Sequence, residues 1–98
     1  MKIINFEEFV ELPPGTIFSY YDPDVYVGLY RKEDTIYYSW ENSESKEAID
    51  YFQTSLLPQT DFNQDYFGLK ERWGEFSWDQ QYAIYEEIDL QILRNLIG

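Results

Sequence analysis

VYVGLYRKEDTIYYSWENSE, residues 25–44, is the stretch on which the reading of the fold turns. Val25 to Arg31 and Thr35 to Trp40 alternate in polarity and flank Lys32-Glu33-Asp34, the pattern of a β-hairpin closed by a polar loop. A loop of two or four residues places Val25, Val27 and Leu29 on one face with Ile36, Tyr38 and Trp40. Tyr26, Gly28 and Tyr30 then share the other face with Thr35, Tyr37 and Ser39. The first set is expected to be core and the second an open face of tyrosines spaced by small residues. A loop of odd length breaks the grouping, because a slip of one residue sends every side chain to the opposite face.

Before this stretch, residues 5–12 read as a short helix. Asn5 is its N-cap, Glu8 stands at the capping-box position, and Ile4 and Phe9 are spaced as a hydrophobic staple. Pro13-Pro14-Gly15 stops the helix, Thr16 to Tyr21 reads as a strand, and Asp22-Pro23-Asp24 as a turn. Beyond it, the acid-rich residues 41–50 are either a short helix or an extended loop, and 53–65 read as irregular around Pro58. Tyr66 to Leu69 is a short strand candidate, Gln81 to Tyr85 a strand, and Glu87 to Ile97 the clearest helix. Its Ile88, Ile92 and Leu96, with Leu90, Leu93 and Ile97, cover about half the circumference. The expected class is α+β in one domain, 1–98: a small, mainly antiparallel sheet with a short N-terminal helix and a longer C-terminal helix packed on one face. Antiparallel sheets permit the other face to stay open.

Two features of composition stand out. Aromatic residues make up 20% of the 98 residues, more than one small core needs. Nineteen acids against seven bases leave a net charge of −12. Such a chain is repelled by phosphate backbones and anionic membranes, so a basic protein is the expected partner, with no direct nucleic acid and no membrane. Acidity also serves solubility alone. With no Cys and no His, the commonest general base, the thiol nucleophile and the commonest transition-metal ligands are missing, and an enzyme is not expected. No cofactor and no metal are expected either. DFNQDYFGLKER, residues 61–72, begins like a calcium loop, but Tyr66 stands where the sharp turn needs Gly and Arg72 where the bidentate acid belongs. The opening MKIINFEEF has no signal-peptide pattern and no apolar run is long enough to span a membrane, so a cytoplasmic location is expected.

The candidate partner-binding residues are the tyrosines Tyr26, Tyr30 and Tyr37, edged by Asp22, Asp24, Glu41, Glu44, Glu47 and Asp50. Rigid rings beside carboxylates suit a basic partner, whose Lys and Arg pair with the acids and stack on the rings. Two other readings stand beside this one. A covering segment, residues 41–65, would make the rings a second core layer, and face-to-face pairing of two copies would bury them in a homodimer. Carboxylates and flat rings together also imitate a nucleic acid to a protein that grips one. In its small size, its acidity and its lack of Cys and His, the chain resembles the DNA-mimic inhibitors of tailed phages, anti-CRISPR proteins among them. NFEEFVELPPGTIFSYYDPD (5–24) and QYAIYEEIDLQILRNL (81–96) resemble short phage proteins that open with a brief helix, a Leu-Pro-x-Gly-Thr turn and a strand, here Leu12, Pro13, Gly15 and Thr16. The resemblance covers the two ends of the chain and leaves 41–80 unmatched. It implies a phage origin, the host cytoplasm, and inhibition of a basic nucleic-acid-handling host protein such as a CRISPR effector subunit. No functional residue carries over from it.

Overall fold

The computed structural model describes residues 1–39, 46–61, 63–72 and 79–98. Its elements are β1 (Lys2–Asn5), α1 (Phe6–Val10), β2 (Ile17–Asp22), β3 (Val25–Ser39), β4 (Lys46–Ser55), β5 (Gln59–Asp61), β6 (Gln64–Tyr66), β7 (Lys70–Arg72), β8 (Gln81–Ile84) and α2 (Glu87–Ile97). Six strands form one antiparallel sheet in the order β1-β8-β2-β3-β4-β7, and β5 and β6 pair separately. The class is α+β, with a mainly antiparallel sheet, a short N-terminal helix and a longer C-terminal one.

The start of α1 follows from its sequence. Asn5 is extended, and its Oδ1 accepts the Glu8 backbone N–H at 2.9 Å, so one of the orphan donors of the first turn is satisfied. Phe6, Phe9 and Val10 are buried on one side of the helix, while Glu7 and Glu8 stay in water. Phe9 is the centre of the core. Its ring stacks on Tyr82 at 3.9 Å and meets Phe18 and Tyr51 edge-on at 4.6 and 4.9 Å. Those three rings come from β8, β2 and β4, so one helical side chain joins three strands. Ile4, Val10 and Ile84 close the cluster.

The expected hairpin over 25–40 is not formed. Lys32-Glu33-Asp34 is no loop, because β3 runs unbroken through it for 15 residues. The hairpin lies one element earlier, where Asp22-Pro23-Asp24 joins β2 to β3, with Asp24 at φ 69. Three register shifts account for the difference. On β3 an extra residue falls between Val27 and Tyr30 against β2, and another between Lys32 and Thr35 against β4. On β4 an extra residue falls between Asp50 and Ala48. Each bulge changes which parity points inward. The inward positions of β3 are therefore Val27, Tyr30, Lys32, Thr35 and Tyr37, drawn from both expected face sets and from the expected loop. Val25 and Tyr38, expected in the core, are exposed instead, and Val27 faces the sheet's inner side but stays half exposed near the hairpin tip.

Lys32 is the least expected member of the interior. It is fully buried, with Nζ donating to the Glu33 carbonyl (3.1 Å) and to Thr35 Oγ1 (2.7 Å). Thr35 Oγ1 in turn donates to the Val10 carbonyl at the C-terminal end of α1, and the Lys32 ammonium lies 5.9 Å from the Phe9 ring. Burial pulls the Lys32 pKa down, against the carboxylates of Asp34, Glu11 and Glu33, which hold it up.

β4 occupies part of the span read as helix or loop, and β5 and β6 part of the span read as irregular. α2 begins with a capping box between Glu86 and Asp89. Its Leu90 and Leu93 are half-buried, while Ile88, Ile92, Leu96 and Ile97 are exposed. No residue of α2 is fully buried. Among the described residues no helix is long and apolar enough to cross a membrane.

The Phe9 contact makes a direct prediction. Phe9→Ala removes the ring shared by three strands and is expected to lower unfolding free energy by about 3–5 kcal/mol, measured by chemical denaturation. Removing one exposed α2 side chain, by Leu96→Ala, is expected to change it by less than about 0.5 kcal/mol.

Candidate partner-binding cleft

The hairpin between β2 and β3 projects an acidic and aromatic tip. Proline fixes the turn, and Asp24 takes the left-handed conformation that short polar side chains tolerate. The rings of Tyr21 and Tyr26 lie 5.4 Å apart across the strand pair. Val25, Tyr26 and Val27 are about half exposed, and Asp22 and Asp24 are exposed beside them.

Below the tip the inner face of the sheet opens into a cleft of about 490 Å³. Its walls include Tyr20 and Tyr30, its charged groups are Asp22 and Glu71, and Gln53 lies deep in it. Tyr30 is held in place by Gly28, which sits at φ +72 in the bulge. A Cβ there would stand 2.3 Å from the Tyr30 ring, so glycine is required by both conformation and space. The other side of the Tyr30 ring environment is Phe18, stacked at 5.5 Å. Ser19 Oγ donates to the Gly28 carbonyl at 2.6 Å and so fastens the bulge to β2.

From the cleft wall a directed chain of hydroxyls runs into the core. Tyr20 Oη donates to Gln53 Oε1, which can only accept. Tyr20 has no second hydrogen, so Tyr51 donates to it (2.8 Å), and Tyr82 must then donate to Tyr51 (3.1 Å). All three phenols are desolvated, which drives their pKa values up. Tyr82 is pushed up to about 12, and Tyr20 and Tyr51 further still. Tyr30 is also raised, first by burial and then by the nearby Glu71 carboxylate.

Glu71 owes its setting to strand alternation. On β7 its neighbours Lys70 and Arg72 point to the opposite face, Lys70 over the Phe52 ring and Arg72 to Asp50. Glu71 is half-buried and has no hydrogen bond or ion pair among the described residues.

The residues read from sequence as one surface are distributed over three places. Asp22, Asp24 and Tyr26 gather at the hairpin tip, as expected of neighbours in a turn. Tyr37 and Glu47 are exposed at the far end of β3 and β4, roughly 35 Å along the strand from Tyr26 at the usual rise. Tyr30 turns inward, half-buried on Phe18. Asp50 is a correction: it is fully buried, accepting from the Tyr51 backbone N–H and from Arg72 Nε, so it belongs to the sheet and not to an exposed acidic edge. Glu41 and Glu44 lie outside the described residues. Tyr20, Gln53 and Glu71 line the cleft and were not singled out from sequence. The one signal for Glu71 was its place between two cations, which on a strand separates it from both.

The calcium-like stretch from Asp61 is a hairpin, with Asn63 at φ 63 in the turn and Thr60 donating to Asp65 Oδ1 at 2.6 Å. Among the described residues no three His, Cys, Asp or Glu side chains are grouped to hold a metal.

The raised phenols set an alkaline limit to stability. Below pH 10 both folded and unfolded chains keep these protons, and the stabilisation is complete. Above it the unfolded chain releases protons that the folded chain retains, so stability is expected to fall as pH rises from 10 through 12. Tyrosinate absorbance and circular dichroism followed together are expected to show the last phenols ionising only as the fold opens. Gly28→Ala is expected to cost about 2 kcal/mol and to displace the Tyr30 ring, seen as changed chemical shifts for that residue. No protein-family model, no curated protein and no solved structure matches this chain, so its function is argued from this geometry.

Proposed function

We propose that the chain is a non-enzymatic binding protein that blocks a basic, nucleic-acid-handling partner by occupying the surface that grips nucleic acid. The observation that carries this reading is the hairpin end of the sheet, where Asp22, Asp24, Tyr26 and the cleft with Glu71, which has no ion pair among the described residues, converge in a chain of net charge −12. Exposed rings give contact area at low entropy cost, and carboxylates around them steer a cationic surface into place. The resemblance of residues 5–24 and 81–96 to small phage proteins favours a host-defence target, and a CRISPR effector is the most specific choice.

The test uses purified RNA-guided nuclease complexes, with target cleavage and direct binding measured at low and high salt. Inhibition that weakens as salt rises is expected. Asp22→Asn combined with Tyr26→Ala is expected to weaken binding at least about tenfold without changing the unfolding midpoint. Absence of binding to every basic nucleic-acid-handling protein tried would reject the reading.

A homodimer is the second reading, favoured by the exposed Val25, Tyr26 and Val27 and by the exposed row Ile88, Ile92 and Leu96 on α2. Sedimentation separates the two, since apolar self-association survives high salt.

A further inference from the structure

We propose that the cleft beside the hairpin is the receptor for one arginine side chain of the partner protein. The inference rests on the reading of the chain as a binder of a basic protein and names the group that is bound.

Among the described residues the fold leaves a carboxylate of the cleft without a cation. Glu71 is half-buried at the cleft wall, and Asp22 stands at its rim with no ion pair among the described residues. Five of the chain's seven basic residues are committed elsewhere. Arg31 pairs with Glu33, Lys32 is sealed beneath α1, Lys70 covers Phe52, Arg72 holds Asp50, and Arg94 pairs with Glu87. A partly desolvated carboxylate is stabilised by an opposite charge, so the cleft is matched to a cation that the described residues do not place there.

The lining of the cleft favours a guanidinium over an ammonium. Tyr20 and Tyr30 line the cleft beside the acids, and a planar guanidinium stacks on such rings while donating to a carboxylate in its own plane. Gln80 also lines it. Its Nε2 donates to the Gln81 carbonyl at 2.9 Å, leaving its Oε1 as a further acceptor. Tyr30 Oη has no partner among the described residues and adds another. Two carboxylates, an amide oxygen and a phenol provide more acceptors than an ammonium with three N–H groups can use, and they suit the five of a guanidinium.

The site is built in advance. Gly28 clears the space for the Tyr30 ring, Phe18 backs that ring, and the hydroxyl chain fixes Tyr20 and Gln53. A pocket held rigid before binding spends little entropy on closing around its ligand.

The test is an NMR titration of the full chain with Nα-acetyl-L-arginine amide, and separately with the lysine analogue. The arginine probe is expected to bind with a Kd of about 1 mM and to shift signals at Asp22, Tyr30, Gln53 and Glu71. The lysine probe is expected to bind several-fold more weakly. Glu71→Gln is expected to weaken arginine binding about tenfold, and Asp22→Asn, in the exposed turn, about threefold. The second variant keeps the test decisive if the first perturbs folding. Equal response to both probes, shifts located away from the cleft, or no shift at all would overturn the inference. Capture of a basic effector that persists without arginine binding overturns the cleft assignment alone. Arginine binding without any effector capture overturns the proposed function and leaves the cleft assignment standing.

Discussion

The insertion of Phe9 among Tyr82, Phe18 and Tyr51 is the contact on which the fold depends. A helix of five residues has too few turns to be stable by itself. It is held because its buried side meets rings from three strands, and the strands in turn close around it. The sheet's own bulges supply the curvature this requires, since each extra residue bends and twists the strand that carries it. The large number of aromatic residues thus has a partial answer in the core, where the tyrosines are kept dry by bonding to one another. A buried phenol is costly when unpaired, and the chain Tyr82–Tyr51–Tyr20–Gln53 leaves none in that state.

The same bulges create the cleft. Without the extra residue at Gly28, Val27 and Tyr30 would fall on opposite faces, and Tyr30 would not line a cavity with Tyr20. At the other end of β3 the bulge at Glu33 and Asp34 brings Lys32 and Thr35 to one side, under the end of α1. Glu33 then lies on the other face, held by Arg31 and Thr54. Burial would raise the Glu33 pKa, but these two hydrogen bonds outweigh it and hold the carboxyl below its ordinary value. A strand segment that reads as a polar loop is in this way fully used by the interior and its edge.

Charge is placed unevenly between the faces. Basic side chains gather where acids already need them, as Arg72 does at buried Asp50. At the hairpin end Asp22 and Glu71 have no such partners among the described residues. A general negative field draws cations from a distance.

What the sequence determined by itself was local. The Asn5 cap, the stop at Pro13-Pro14-Gly15, the strands over 17–22 and 81–84, the turn at Asp22-Pro23-Asp24 and the helix over 87–97 are all specified by neighbouring residues, and all are present. The α+β class follows from them. The tertiary structure alone decided the faces of β3 and β4. Parity is counted along one strand, but a bulge is defined by the partner strand, so no count within residues 25–40 could reveal that Lys32 and Tyr30 turn inward or that Tyr38 turns out. The site was legible to the same extent. Asp22, Asp24 and Tyr26 adjoin one another in the chain, whereas Glu71, Gln53 and Tyr20 meet only because β7, β4 and β2 belong to one sheet, with β7 beside β4 and β3 between β4 and β2.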